Sequence, residues 1–303
     1  MGSYWQPDVL SEIVWHLKKQ DLYLFAGAGL SCLAGYPSWK DLLHLFANAY
    51  GELPGCDPKI NGVMDSLVAD GKLNILDHLM ALGHPGEDAI VKILRQKFEQ
   101  EKTSDTHRTL INMPFAGYVT TNYDRSIEAA CVGVAGAEEM VNNRWFCFPQ
   151  HKHAQVKNLD GIYDKRQFIL HMHGCLYHAG RLDSENIMLM TCQYCKFYEN
   201  SVIRKIYDDL FYRPFLILGA SLSDIWFMNK LFEARGIHDR DRRNERKLCC
   251  VLRPESEKRQ IDPSDEEVYG VKFNYFNQKD KNAIKDMVNE LKNACEEKTV
   301  RVT

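Results

Sequence analysis

The chain has 303 residues, 45% of them hydrophobic, with 41 acidic side chains against 38 Lys and Arg, for a formal charge of −3. That composition supports one large core or a core with a satellite, and the near-neutral charge excludes a global field that would recruit nucleic acid or an anionic membrane. No run has the length of a membrane span or the layout of a signal peptide, and ten scattered cysteines, some inside apolar runs such as Leu248-Cys249-Cys250-Val251, read as buried thiols of a reducing, cytoplasmic compartment.

In chain order, Val9, Leu10, Ile13, Val14 and Leu17 recur at helical spacing, and the run Leu22 to Phe25 follows as a buried strand. That strand enters Ala26-Gly27-Ala28-Gly29-Leu30-Ser31. Two near-adjacent glycines let a backbone approach a pyrophosphate, whose charge the amides of the turn would meet. The third glycine of a dinucleotide fingerprint would stand where Cys32 is, so the turn by itself does not specify a dinucleotide site. Pro37-Ser38-Trp39 reads either as a lid over a ligand or as the start of a helix running to Phe46.

Over 57–104 the periodicity is purely helical, in Met64-Leu67-Val68, Leu73-Leu76-Leu79-Met80 and Ile90-Ile93-Leu94-Phe98, which predicts a helical insertion between the first two core strands. Further strands are predicted at Gly117 to Thr121, Phe168 to Met172, Phe215 to Leu218 and Leu248 to Leu252, with helical patterns such as Val202, Ile206 and Leu210, or Ile284, Met287, Val288 and Leu291, around them. The mixed-sign run His238 to Lys247 reads as a solvated loop. The alternation predicts one α/β domain over 1–303, a doubly wound, Rossmann-like parallel sheet with helices on both faces.

Such sheets bind ligands at the C-terminal ends of their strands. There the chain carries Asn122 and Asp124 after the second predicted strand, His173-Gly174 after the third, and Gly219-Ala220-Ser221-Leu222-Ser223-Asp224 after the fourth. Asp124 and Asp224 can each also be read as a helix cap. A histidine beside a glycine has room to turn its ring toward a ligand.

As an ordered set, the G-A-G-x-S turn from Gly27 to Ser31, Asn122 with Asp124, His173-Gly174 and the turn from Gly219 to Leu222 resemble the sirtuin fold family. Pro37-Ser38-Trp39, Thr120-Thr121-Asn122-Tyr123-Asp124 and Ser221-Leu222-Ser223-Asp224 bring the likeness nearest to the sirtuin-like NAD-hydrolase domains of prokaryotic antiphage defence. The resemblance implies NAD as substrate, cleaved to nicotinamide and ADP-ribose. It implies Asn122 and His173 as catalytic residues, with Ala26, Gly27, Gly29, Ser31, Pro37, Trp39, Asp124, Gly219 and Ser221 around the dinucleotide.

The chemistry suits those residue types. Departure of nicotinamide leaves an oxocarbenium-like ribose and needs no proton, so the site must fix the pyrophosphate and hold a water at the anomeric carbon. A carboxamide at Asn122 can orient that water or a ribose hydroxyl, and His173 can act as general base. Deacylating sirtuins carry a glutamine where this chain has Thr121, and a four-cysteine zinc ribbon. Here Cys175, His178, Cys192 and Cys195 have zinc-compatible spacing, but Met190 to Tyr194 also reads as a helix start, and no metal is expected. A protein deacylase, an ADP-ribosyl cyclase and a non-catalytic NAD or ADP-ribose sensor are the alternatives. The resemblance further implies control from outside the polypeptide, by homo-oligomerisation or a separate sensor such as a helicase-type ATPase or an argonaute. From the charge and the apolar runs, no membrane and no direct sequence-specific nucleic-acid partner are expected.

Overall fold

The computed structural model describes residues 4–61, 66, 74–137, 141, 145–147, 167–178, 181–182, 187–220, 225–235, 248–255, 270–277, 280 and 282–300. Helix α1 (Pro7–Lys19) leads into strand β1 (Tyr23–Ala26), followed by α2 (Ala28–Leu33), α3 (Trp39–Glu52), α4 (Pro58–Asn61), α5 (Asn74–Ala81), α6 (His84–Phe98) and α7 (Asp105–Ile111). Strand β2 (Gly117–Thr120), α8 (Ser126–Cys131), β3 (Trp145–Cys147) and β4 (Ile169–His171) come next, then the short pair β5 (Tyr177–His178) and β6 (Arg181–Leu182). The chain closes with α9 (Thr191–Glu199), α10 (Ser201–Phe211), β7 (Phe215–Leu218), α11 (Ile225–Arg235), β8 (Cys249–Pro254), β9 (Lys272–Phe276) and α12 (Ala283–Val300).

The main sheet is seven-stranded and all-parallel, in the order β3-β4-β2-β1-β7-β8-β9. Strands β1 and β7 at its centre are apolar throughout because both faces are covered. In β1, Leu24 and Ala26 point into a core shared with α1, α7, α8 and α12, while Tyr23 and Phe25 point into a second core with α9, α10 and α11. This is the doubly wound α/β layering expected from the sequence. The five strands read from apolar runs form β1, β2, β4, β7 and β8; β3 and β9 add the two edges.

A third core lies at the C-terminal edge of the sheet. Leu42, Leu43 and Phe46 of α3, Leu76 and Leu79 of α5, and Ile90, Leu94 and Phe98 of α6 pack together. Tyr123, Leu176 and Leu189, from loops at strand ends, join them. Helix α3, which begins before 57, thus shares one core with the helices of the 57–104 stretch. Residues 62–65 and 67–73 of that stretch, with Met64, Leu67, Val68 and Leu73, lie outside the described residues, as does the run 238–247.

The topology switches at β1. The chain builds β2 on one side of it and later returns to build β7 on the other, so the crevice at the strand ends opens above β1 and its neighbours. There the turns after β1 and β7 meet backbone to backbone. Gly27 N–H donates to Leu218 O and Gly29 N–H to Gly219 O, both at 2.8 Å. A Cβ on Gly27 would fall 2.5 Å from Ala220 Cα, and one on Gly219 the same distance from Leu30 N. Gly219 also has φ of +71°, a conformation natural to glycine. Gly27→Ala is therefore expected to lower stability by about 1–3 kcal/mol through overpacking against backbone that cannot step aside. A lower urea midpoint with an unchanged m-value is the measurement that checks it.

Candidate active site

Parallel register aligns the strand ends. Ala26 pairs with Thr120 and Thr120 with His171, so Asn122 and His173, each two residues further, emerge side by side from neighbouring strands. Thr120 Oγ1 donates to Ala26 O at 2.7 Å and accepts from Asn122 N–H at 3.0 Å, which ties the β1 and β2 ends together and starts the turn that carries Asn122.

Ser31, in the first turns of α2, is the centre of the site. Its Oγ donates to Asp124 Oδ2 at 2.6 Å and accepts from Asn122 Nδ2 at 2.8 Å. A hydroxyl has one proton, and that proton goes to the carboxylate; Ser31 can then only accept from Asn122. The amide of Asn122 is thereby forced to turn Nδ2 to Ser31, and its Oδ1 has no hydrogen-bond partner among the described residues, where the side chain is partly exposed. The other oxygen of buried Asp124 accepts from Ser126 N–H at 2.9 Å and from the Ser126 hydroxyl, so Asp124 closes a turn onto the first residue of α8, whose N-cap position is Arg125 rather than Asp124.

Tyr123, between them, points the opposite way, donating to Met188 O at 2.6 Å from within the third core. His173 is buried, with Nε2 at 2.6 Å from Tyr198 Oη and its ring edge-on to Tyr194 at 4.9 Å. The glycines of the turn contribute shape: their two amides donate to Leu218 and Gly219 carbonyls within the fold. Ser38 N-caps α3, its Oγ accepting from Asp41 N–H at 3.1 Å while Asp41 Oδ2 accepts from Ser38 N–H at 3.0 Å. Trp39 is the first residue of that helix, and Pro37 and Trp39 are half-buried. Tyr36 straps this segment down, donating to Gln100 O and accepting from Lys102 N–H, each at 2.9 Å. Ser221, Ser223 and Asp224 lie outside the described residues. Met190 to Tyr194 opens α9, as the helix reading has it, and the side chains of His178 and Cys192 lie outside the described residues. Among the described residues no group of three His, Cys, Asp or Glu is arranged to hold a metal ion.

Two residues beneath the site were not anticipated. His171, fully buried at the end of β4, brings Nδ1 to 3.1 Å from Asn122 O and Nε2 to 2.7 Å from Glu128 Oε1. Glu128 of α8 also accepts from Trp145 Nε1 at 2.5 Å. Burial drives the Glu128 carboxyl up, but the charge and hydrogen bond of His171, with Arg125, outweigh it and hold the group below its ordinary range. Burial likewise pulls His171 down, and Glu128 with the Asn122 carbonyl raises it above its ordinary value. The pair is charged, His⁺ against carboxylate, and grips the backbone of the residue that Ser31 orients. A lone acid in Ser126-Ile127-Glu128-Ala129-Ala130-Cys131 was the signal available: a charge in an otherwise apolar helix asks for a buried partner.

A family model for the SIR2-like domain matches residues 116–274. The chain belongs to the SIR2-like domain family. It is similar to "NAD(+) hydrolase ThsA" of Enterococcus faecium, 26% identical over 82% of this chain and 46% of that protein. The protein of the same name from Bacillus cereus (strain MSX-D12) is 24% identical over 81% of this chain and 46% of its own length. "Defense-associated sirtuin 2" of Bacillus subtilis is 31% identical over 45% of this chain and 13% of its own length. The chain thus spans about half the length of the two hydrolases it matches.

Ser31→Ala removes a donor from a buried carboxylate and an acceptor from Asn122, and is expected to cost about 1–3 kcal/mol in urea unfolding. For the ion pair the direction with pH follows from the two shifts. Glu128, depressed, contributes above its ordinary value of 4.5 and loses that contribution as pH falls through the depressed value. His171, raised, contributes fully below 6.5 and loses it as pH rises through the raised value. The stability gap between wild type and Glu128→Gln should therefore be widest between pH 4.5 and 6.5 and narrow on both sides, read from urea midpoints across pH.

Proposed function

We propose that this chain is an NAD+ hydrolase that cleaves the dinucleotide to nicotinamide and ADP-ribose. The observation that carries the reading is the Ser31-centred network. It takes up the amide nitrogen of Asn122 and leaves the carboxamide oxygen without a hydrogen-bond partner among the described residues, at the strand ends where His173 also lies, in a family whose similar members are named for NAD(+) hydrolysis. Nicotinamide departs as a neutral base with the electrons of its glycosidic bond, leaving positive charge on the ribose. Water adds at the anomeric carbon, and its proton passes to His173 and on to solvent, so that NAD+ and water give nicotinamide, ADP-ribose and a proton. Asn122 Oδ1 accepts from that water or from a ribose hydroxyl, and Asp124 acts through Ser31 by fixing the amide. Gly27, Gly29 and Gly219, with Ala26 at the strand end, leave space for the diphosphate to approach backbone, and Ser221 adds a hydroxyl to it. Pro37 and Trp39, strapped by Tyr36, cover the nicotinamide end, and the helices of the 57–104 stretch form an inserted subdomain above the sheet.

The reading includes a cytoplasmic location and a defence role, the latter supported by the likeness to a protein named as a defence-associated sirtuin. No helix among the described residues is long and apolar enough to cross a membrane. An enzyme that depletes NAD needs restraint, so the reading includes control by a homo-oligomer or by a separate sensor protein of the helicase-type ATPase or argonaute kind.

Incubation of the purified chain with NAD+ should release nicotinamide and ADP-ribose in equal amounts without any acylated peptide. Asn122→Ala and His173→Ala should each reduce kcat by at least about a hundredfold. Release that requires an acetyl-lysine peptide would replace the hydrolase with a deacylase.

A further inference from the structure

Helix α9 carries tyrosines at 194 and 198, one turn apart, and both rings meet His173 edge-on, with centroids 4.9 and 6.0 Å away. Their hydroxyls do different things. That of Tyr194 donates to Met188 O at 3.1 Å and lies 3.3 Å from Tyr123 Oη, whereas that of Tyr198 lies 2.6 Å from His173 Nε2. Tyr198 is itself immobilised: its ring is packed against Phe197 and Tyr207, at 5.3 and 5.4 Å between centroids, within the core of α9, α10 and the sheet. A phenol hydroxyl buried at 3% exposure among apolar side chains costs stability unless it finds a partner, and phenylalanine would fill the space at less cost. The partner it finds is the imidazole.

A neutral imidazole offers one nitrogen as donor and the other as acceptor, and only one of the two tautomers can take a proton at a given position. Resting on the reading of His173 as the base, we propose that Tyr198 is its positioning residue: with Nε2–H donating to Tyr198 Oη, the ring is held in one plane and in the tautomer whose Nδ1 can take the proton before substrate arrives. Helix α9 then serves the site directly. Its first turn is fixed by Gln193, whose Oε1 accepts from Leu189 and Met190 N–H at 2.7 and 2.8 Å, and its second turn delivers the hydroxyl.

The test is Tyr198→Phe in the whole chain, beside Tyr207→Phe as a hydroxyl deletion in the same aromatic column and His173→Ala to assign the signal. With histidine labelled by ¹⁵N and no ligand added, wild type and Tyr207→Phe should show His173 as a single tautomer, and Tyr198→Phe should show averaged ring-nitrogen shifts. In the NAD+ assay Tyr198→Phe should lose about tenfold or more in kcat with KM within about twofold, and its melting temperature should stay near wild type. Unchanged His173 shifts in Tyr198→Phe, or a fall in turnover matched by Tyr207→Phe, would overturn the proposal. Full turnover by His173→Ala would instead overturn the assignment of the base, and the nitrogen spectra would still decide whether Tyr198 orders the ring.

Discussion

The structure depends on the absence of side chains between the turns that follow β1 and β7. With Gly27 and Gly29 set against Gly219 and Ala220, two backbone hydrogen bonds close at 2.8 Å across the switch point, and the two turns behave as one piece. That contact fixes where α2 begins and how it is rotated. Rotation of α2 in turn sets Ser31 over the end of β2, where Asn122 and Asp124 emerge. In a parallel sheet one register places every strand end, so the alignment of Ala26, Thr120 and His171 carries the order at β1 across to His173.

Upon that frame the polar chemistry is arranged in two tiers. The upper tier is neutral except for Asp124 and turns on the single proton of Ser31, which decides the orientation of an amide that would otherwise have two equivalent poses. The lower tier is the buried His171–Glu128 pair. Buried ion pairs contribute little net stability against an apolar replacement, because desolvation offsets most of the attraction. What the pair has here is geometry: with Glu128 on Nε2, His171 presents Nδ1 to Asn122 O. Both tiers act on Asn122, one through its side chain and one through its main chain.

The central architecture was legible in the sequence because strands covered on both faces must be apolar at every position. Leu22 to Phe25 and Phe215 to Leu218 announce themselves for that reason. The edges were not. Strand β3 has three residues, and in β9 Lys272 and Phe276 on one face and Tyr275 on the other are only half-buried beside a buried Asn274, as befits an edge, and apolar runs do not reveal such a pattern. At the site, strand-end position was enough to single out Asn122, Asp124 and His173. Glu128, His171 and Tyr198 act through partners brought near by folding, across 43 residues for the ion pair and 25 for the histidine and its tyrosine, and a one-dimensional motif carries no trace of such pairs.

Cys32 shows how the glycine requirement was relocated. In the usual dinucleotide fingerprint a third glycine at this point lets the helix lie close to a strand. Here position 32 faces outward, where Cys32 is exposed and a side chain is harmless. The close approach is made one turn earlier, by Gly29, and its counterpart is Gly219 on a different strand. A Cβ on either glycine would strike the other turn's backbone, so the two form a single steric requirement divided between distant parts of the chain. A fingerprint written along one strand therefore fails at Cys32, although the space it encodes is present. The turn after β7 is thus as much a part of the proposed dinucleotide cradle as the turn after β1, and Gly219, with its positive φ, supplies the close approach that the missing glycine would have allowed.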